Sequence, residues 1–240
     1  ERVWAECARA LLADTPAVFF TTLRACGALA RLFPEINQLF GVPQPPQWHP
    51  EIDTGVHVML VIDQAARLSP EPIVRFAALC HDLGKGTTPP DLWPSHPGHE
   101  ERSVALTRDF CARWRVPNDY RDLALLTARW HGHIHKVDAL RDATLHDTLA
   151  ALDAWRRPER FELFLLACEA DYRGRPGFEE RPYPQRAYCR AARLVTAQVA
   201  LQPLLEAGYR HEALRDQLRQ RRIAALAALF LEADPAFAKD

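Results

Sequence analysis

The segment Val74-Arg-Phe-Ala-Ala-Leu-Cys-His-Asp-Leu-Gly-Lys85 sets Val74, Ala77 and Ala78 at the i, i+3, i+4 spacing of one helix face, and His81 follows at i+7. The periodicity predicts a helix over 71–83 that carries an imidazole on its buried stripe, with Asp82 beside it and Gly84 as its terminator. A carboxylate inside a core is expensive unless it is paired or bound to a cation.

Working outward, the same 3.6-residue pattern recurs and alternating β-branched runs are missing. Helices are expected over 1–12 and 17–32, with Pro16 suited to a first turn. The Pro-rich connector Gly41-Val-Pro-Gln-Pro-Pro-Gln-Trp-His-Pro50 is too stiff for helix and marks a boundary. A helix capped by Asp53 or Thr54 then runs to 68. Residues 86–97 hold four prolines and read as a loop. Further helices are expected over 98–114, 117–131, 144–155, 158–173, 184–206 and 210–232. The fold class is all-α, a multi-helix bundle with Pro-rich joints.

Bulk composition agrees with a globular chain: 48% hydrophobic and 25% charged residues, with a net charge of -1. That charge excludes a global pull towards nucleic acid. Of the 30 basic residues only Lys85, Lys136 and Lys239 are lysine, which fits either a GC-rich genome or phosphate recognition by arginine forks. No apolar run is long enough to span a membrane. Six cysteines without a CxxC pair point to reduced thiols and a cytoplasmic protein. Glu1-Arg-Val-Trp4 shows neither a signal-peptide pattern nor an initiator Met, and reads as the start of a fragment.

Three predicted helices each aim a ligand-type side chain inward. His81 and Asp82 lie on one. His57 shares a stripe with 59–61 and Gln64, and Asp171 extends Phe164, Ala167 and Cys168. Two imidazoles and two carboxylates suit a borderline or hard divalent ion and disfavour a thiolate zinc site. Such an ion would supply an acidified water and polarise a phosphoryl oxygen, so phosphoester hydrolysis is the chemistry expected. Lys85, Arg173 and Arg175 follow the candidate ligands closely enough to offset phosphate charge. For His99 and His131, functional and structural readings both stand. His133 and His135 are expected at the surface, and His146-Asp147 is expected on a solvated helix face. Arg215, Arg219 and Arg222 share one helix face, where RNA contact and ordinary solvation are equally open.

The pattern His57 … His81-Asp82-Leu-Gly-Lys85 … Asp171 resembles the H…HD…D signature of HD-superfamily phosphohydrolases. A narrower resemblance spans nearly the whole chain. Thr-Leu-Arg-Ala-Cys-Gly-Ala-Leu with Leu-Phe-Pro-Glu (21–35), Trp48-His-Pro-Glu-Ile-Asp-Thr-Gly55, Ala167-Cys-Glu-Ala-Asp-Tyr-Arg-Gly-Arg-Pro-Gly-Phe178 and Arg221-Arg-Ile-Ala are similar to the C-terminal half of the bacterial multifunctional CCA protein family. That family joins a tRNA nucleotidyltransferase to an HD domain. The resemblance implies 2′,3′-cyclic phosphodiesterase, 2′-nucleotidase and phosphatase activities with Ni or Mg, Mn or Co being alternatives. It implies His57, His81, Asp82 and Asp171 as metal ligands. His99 and His131 match positions where some HD enzymes hold a second metal or the substrate phosphate, and with Asp82 and Lys85 they complete the expected catalytic set.

The expected organisation is a helical remnant over 1–44, the HD domain over 45–175 and a helical extension over 176–240. No Gly-Ser followed by an Asp-x-Asp pair is present, so nucleotide addition is not expected of these residues. The partners implied are a tRNA 3′ end or 2′,3′-cyclic nucleotides, without a membrane; monomer and dimer are both open. Two competing readings are a stand-alone HD nucleotidase and a non-catalytic tRNA-docking module.

Overall fold

The computed structural model describes residues 2–232; Glu1, the expected start of the first helix, and Lys239 lie outside them. Thirteen α-helices are found among the described residues: α1 (Arg2–Leu11), α2 (Ala17–Ala25), α3 (Leu29–Leu32), α4 (Pro34–Asn37), α5 (Thr54–Leu68), α6 (Pro72–Cys80), α7 (His99–Trp114), α8 (Asn118–His135), α9 (Asp142–Ala151), α10 (Pro158–Arg173), α11 (Pro184–Ala197), α12 (Gln202–Glu206) and α13 (His211–Glu232). Short 3-10 turns cover Leu83–Thr87, Pro90–Leu92 and Val137–Ala139. The described residues contain no strand, only an isolated antiparallel bridge between Pro43 and Asp53. The all-α expectation is borne out. No described helix is long and apolar enough to cross a membrane.

Several boundaries differ from those expected, each for a local reason. The helix predicted over 17–32 breaks at Gly27, whose φ of 76° leaves the helical region. The one predicted over 184–206 splits before Pro203, which has no N–H to bond back to 199. The helix expected to stop at 131 runs on to His135, since a single mid-helix glycine costs only about 1 kcal/mol. The helix expected to reach 83 ends at Cys80: His81 keeps helical angles, but Asp82 (φ -114°, ψ 14°) does not. Gly84 is therefore not a left-handed terminator. It permits close approach instead, because a Cβ there would strike the carbonyl oxygen of His99 and lie 2.6 Å from the Ser103 nitrogen. Ser103 Oγ accepts from the Gly84 N–H at 2.8 Å, which seals α7 onto the 83–87 turn.

Asp53 caps α5 as expected, its Oδ1 accepting from the Val56 N–H at 2.9 Å. Its Oδ2 accepts from the Gly41 N–H at 2.6 Å, so the same side chain ties down the start of the Pro-rich connector. His96 does the same further along, with Nε2 donating to the Pro43 carbonyl at 2.8 Å.

The described residues form two compact units. One takes in those up to Gly132 with Glu162–Pro182; the other takes in His133–Phe161 and the described residues from Tyr183 on. In the first, elements from both sides of the connector share one aromatic core. Phe33 stacks on Phe110 at 5.5 Å, Phe110 meets Phe76 at 5.7 Å, and Trp4 meets Phe76 edge-on at 5.3 Å. Buried Arg75 holds the end of α1 against this core, donating to the carbonyls of Leu11 (2.6 Å), Ala13 (2.9 Å) and Ser69 (3.2 Å). In the second unit, Trp155 Nε1 donates to Thr196 Oγ1 at 2.9 Å, and the Arg222 guanidinium lies 4.0 Å over the Trp155 ring.

Arg75→Met would leave two buried carbonyls and one half-buried carbonyl short of a charged donor. We expect a loss of about 2–4 kcal/mol, read as a lower urea midpoint with an unchanged slope. A midpoint equal to that of the parent chain would mean that Arg75 does not anchor α1.

Candidate metal centre

Six side chains from five elements of the first unit converge: His57 from α5, His81 and Asp82 from the end of α6, His99 from α7, His131 from α8 and Asp171 from α10. His57 and His81 are fully buried, Asp82 and Asp171 nearly so. His57 Nε2 lies 2.9 Å from Asp171 Oδ1, and His81 Nε2 lies 3.1 Å from Asp82 Oδ2 and 3.5 Å from Asp171 Oδ1. The other Asp82 oxygen, Oδ1, is 3.4 Å from His99 Nε2 and 3.6 Å from His131 Nε2. Two sets of ligand-type atoms among these six, His57-His81-Asp171 and His81-Asp82-His131, each fall within 4.8 Å of one another, and a third set, His49-Glu51-His57, adjoins them through His57.

The orientation of the rings is fixed from behind. His81 Nδ1 lies 2.6 Å from the Ala78 carbonyl, His99 Nδ1 2.9 Å from that of His96, and His131 Nδ1 2.9 Å from that of Thr127. A carbonyl can only accept, so each Nδ1 carries the proton and each Nε2 turns inward. His96 is wired the opposite way, with Nε2 spent on a carbonyl, and so belongs to the loop rather than to this cluster.

Electrostatics match. Burial by itself would lower His81, but Asp82 and Asp171 beside it raise it to about 10. Burial would raise Asp82, yet Lys85 and His81 hold it well below the carboxylate range. His81 Nε2 and Asp82 Oδ1 are buried without a hydrogen-bond partner although charged atoms surround them. Atoms that point at a common centre and not at each other are what a cation requires, so the residues present fit a divalent ion.

The nearby cations expected to offset phosphate charge each have a partner within the protein. Lys85 is committed to two side chains. It is buried, with Nζ 2.6 Å from Asp82 Oδ2 and 2.6 Å from Gln44 Oε1. Arg173 pairs with Glu169 at 3.1 Å, whereas Arg175 approaches Asp171 Oδ1 at 3.9 Å. On α5 the inward stripe is His57, Val61 and Gln64; Leu60, expected there, sits on the rim and is 38% exposed.

His146, expected on a solvated face, is buried with its ring 5.4 Å from Trp155. Asp147 is exposed and binds Arg219 through two contacts of 3.0 and 2.8 Å. Arg215, Arg219 and Arg222 do line one cavity of about 520 Å³ in the second unit, with Trp155 at its wall. Glu212, Asp216 and Asp147 line it too, which leaves little net positive charge. His133 and His135, expected at the surface, are half-buried, and His135 Nδ1 lies 3.0 Å from Tyr183 Oη.

Three residues between α4 and α5 were given no role by sequence reading: Gln44, His49 and Glu51. His49 Nδ1 and His57 Nδ1 lie 3.0 and 2.8 Å from the same Glu51 oxygen, Oε1. His49 and Glu51 fall in the stretch 48–55 that carries the family resemblance, but a loop has no periodicity to aim their side chains.

Residues 54–172 match the HD domain family, and residues 1–40 match the family described as the probable RNA and SrmB-binding site of polymerase A. The chain is 59% identical over 232 residues to the "Multifunctional CCA protein" of Thioalkalivibrio sulfidiphilus, covering 97% of this chain and 57% of that protein. Against the same-named proteins of Methylococcus capsulatus and Pseudoalteromonas atlantica it is 55% and 53% identical, over 98% and 95% of its length and 56% of theirs. The chain thus spans a little over half the length of the curated relatives it matches.

With no metal bound, the raised His81 contributes stability that is fully present below the unfolded histidine value of about 6.5. That contribution fades as pH rises through about 10. A cation taking Nε2 must displace that proton. Titration with Mn²⁺ at pH 7 in buffers of different ionisation heat should therefore show about one proton released per ion from this residue. Heats independent of the buffer would mean that His81 is not a ligand.

Proposed function

We propose that this chain, whose residues 54–172 match the HD domain family and which is 59% identical to a multifunctional CCA protein over 57% of that protein, is a metal-dependent phosphohydrolase whose substrates are 2′,3′-cyclic phosphates and 2′-phosphates at RNA 3′ ends, tRNA above all. The observation that carries this reading is the convergence of four imidazole Nε2 atoms on two buried carboxylates.

In this reading His57, His81, Asp82 and Asp171 hold a divalent ion, Ni or Mg in preference to Mn or Co. The ion, when bound, supplies an acidified water and countercharge for a phosphoryl oxygen. The rest is the work of the chain. Lys85 neutralises Asp82 Oδ2 and leaves Oδ1 turned towards His99 and His131. Its charge thus reaches a phosphate through Asp82, while Arg175 is the cation beside Asp171 that meets the phosphate directly. Arg173, held by Glu169, adds charge from one turn away. His99 keeps its Nδ1 proton on a carbonyl, so as an imidazolium it gives the Nε2 proton to the departing ribose oxygen and returns to the neutral Nδ1–H ring. His131, wired alike, backs it.

Residues 1–44 form the helical lead-in, 45–175 the hydrolase domain and 176–240 the extension. The match of residues 1–40 to a probable RNA-binding family supports delivery of an RNA end. Arg215, Arg219 and Arg222 add an RNA contact in the extension, one that must compete with Asp147 for Arg219. The setting is the cytoplasm, where tRNA ends are repaired.

The test is turnover of 2′,3′-cyclic AMP and 2′-AMP by the metal-stripped chain, reloaded in turn with Ni, Mn, Co and Mg. Asp82→Ala should lower the rate by about 10³-fold or more. Arg175→Met should raise KM by about tenfold with a smaller change in kcat. Preference for 3′- or 5′-phosphates would favour a stand-alone nucleotidase. Metal bound without any turnover, together with salt-sensitive tRNA binding, would favour a docking module.

A further inference from the structure

Glu51 is the one carboxylate in this region that no role above requires. It directly follows the Pro-rich connector, with its side chain almost fully buried. A single oxygen, Oε1, is hydrogen-bonded to His49 Nδ1 at 3.0 Å and lies 2.8 Å from His57 Nδ1, close enough to accept its proton although the angle is outside hydrogen-bond geometry, and the two rings stand edge-to-face 4.7 Å apart. Burial by itself would raise the Glu51 carboxyl, and the two imidazole contacts reverse this and bring it far below the carboxylate range.

His57 differs from its three neighbours in one respect. His81, His99 and His131 each give Nδ1–H to a backbone carbonyl, which a mutation cannot remove. The ring of His57 has only Glu51 behind it, and Asp171 Oδ1 faces its other nitrogen at 2.9 Å. A neutral imidazole has one N–H to place between two carboxylates. With the proton on Nδ1 the Nε2 lone pair faces the cluster; with the proton on Nε2 it is consumed by Asp171, and the lone pair of His57 faces Glu51 and not the cluster.

We infer that Glu51 is a positioning residue that selects the Nδ1–H tautomer of His57 and so creates its ligand atom, with His49 held on the same oxygen as a wedge that fixes the carboxylate. The ligand role of His57 rests on the function proposed above, but the tautomer does not depend on any bound ion. Outer carboxylates of this kind orient ligating imidazoles and raise their basicity.

The experiment uses the full chain with ¹⁵N-labelled histidine, as the parent, Glu51→Gln, Glu51→Ala and His57→Ala, the last to assign the ring signals. Two quantities are read: which nitrogen of His57 carries the proton in the metal-free chain, and the Kd for Mn²⁺. We expect Nδ1–H in the parent and Nε2–H in Glu51→Ala, with Mn²⁺ affinity about 10- to 100-fold weaker. Glu51→Gln, whose amide oxygen can still accept, should keep Nδ1–H and recover most of the affinity. If Glu51→Ala does not fold, Glu51→Asp takes its place, since the shortened side chain cannot reach both rings. Nδ1–H retained in the shortened variant, or parent-like Mn²⁺ affinity, would overturn the inference. A parent chain that binds no Mn²⁺ yet switches tautomer on loss of Glu51 would keep the positioning role and overturn the metal-dependent reading instead.

Discussion

Two carboxylates, Asp82 and Asp171, lie inside an all-helical core, and much of the first unit is arranged around the charge they bring. Desolvation disfavours each, so each must find partners. Asp82 divides its oxygens, with Oδ2 to Lys85 and His81 and Oδ1 to His99 and His131. Asp171 gathers His57, His81 and Arg175. Placed together, these groups hold more ligand atoms than mutual hydrogen bonding can satisfy, which is why buried Nε2 and Oδ1 atoms are left pointing at a common centre.

The same constraint explains the loops. A cluster contributed by five separate elements tolerates little slack, and irregular segments are the places where slack would arise. The connector after α4 is held by Asp53 to Gly41, by His96 to Pro43 and by Lys85 to Gln44. The turn after α6 is held by Arg102, which donates to the Gly84 and Pro97 carbonyls at 3.1 and 2.8 Å and to Thr88 Oγ1 at 2.7 Å. Gly84 lets α7 approach closely enough for His99 to reach Asp82. Stiff prolines in the connector reduce the entropy lost in ordering it. Polar fixings of this kind serve geometry more than stability, since a partly satisfied buried network is costly.

The two His-Asp pairs of the chain show how little a dipeptide says. His81-Asp82 follows a helix buried along its length, and both side chains are drawn inward among carboxylates and imidazoles. His146-Asp147 lies in the second unit, where His146 packs near an indole and Asp147 meets an arginine at the surface. Identical chemistry at the covalent level becomes a ligand pair in one place and an ordinary packing contact in the other.

Periodicity was enough to read most helices, the all-α class and the inward face of His57, His81 and Asp171, because a helix repeats every 3.6 residues whatever lies beside it. The helix-ending glycine and proline breaks at Gly27 and Pro203 were written in the residues as well, but a long apolar pattern masks a single interruption. What the sequence could not determine is anything that depends on a partner distant along the chain. His57 and Asp171 meet across 114 residues. Which nitrogen of each ring faces inward depends on a carbonyl or a carboxylate behind it. The burial of Lys85 depends on Gln44, and the capture of His49 and His57 by Glu51 depends on a loop with no repeat to orient it. One-dimensional pattern encodes the face of an element; only packing decides what that face meets, and for buried charge the meeting is what fixes the chemistry.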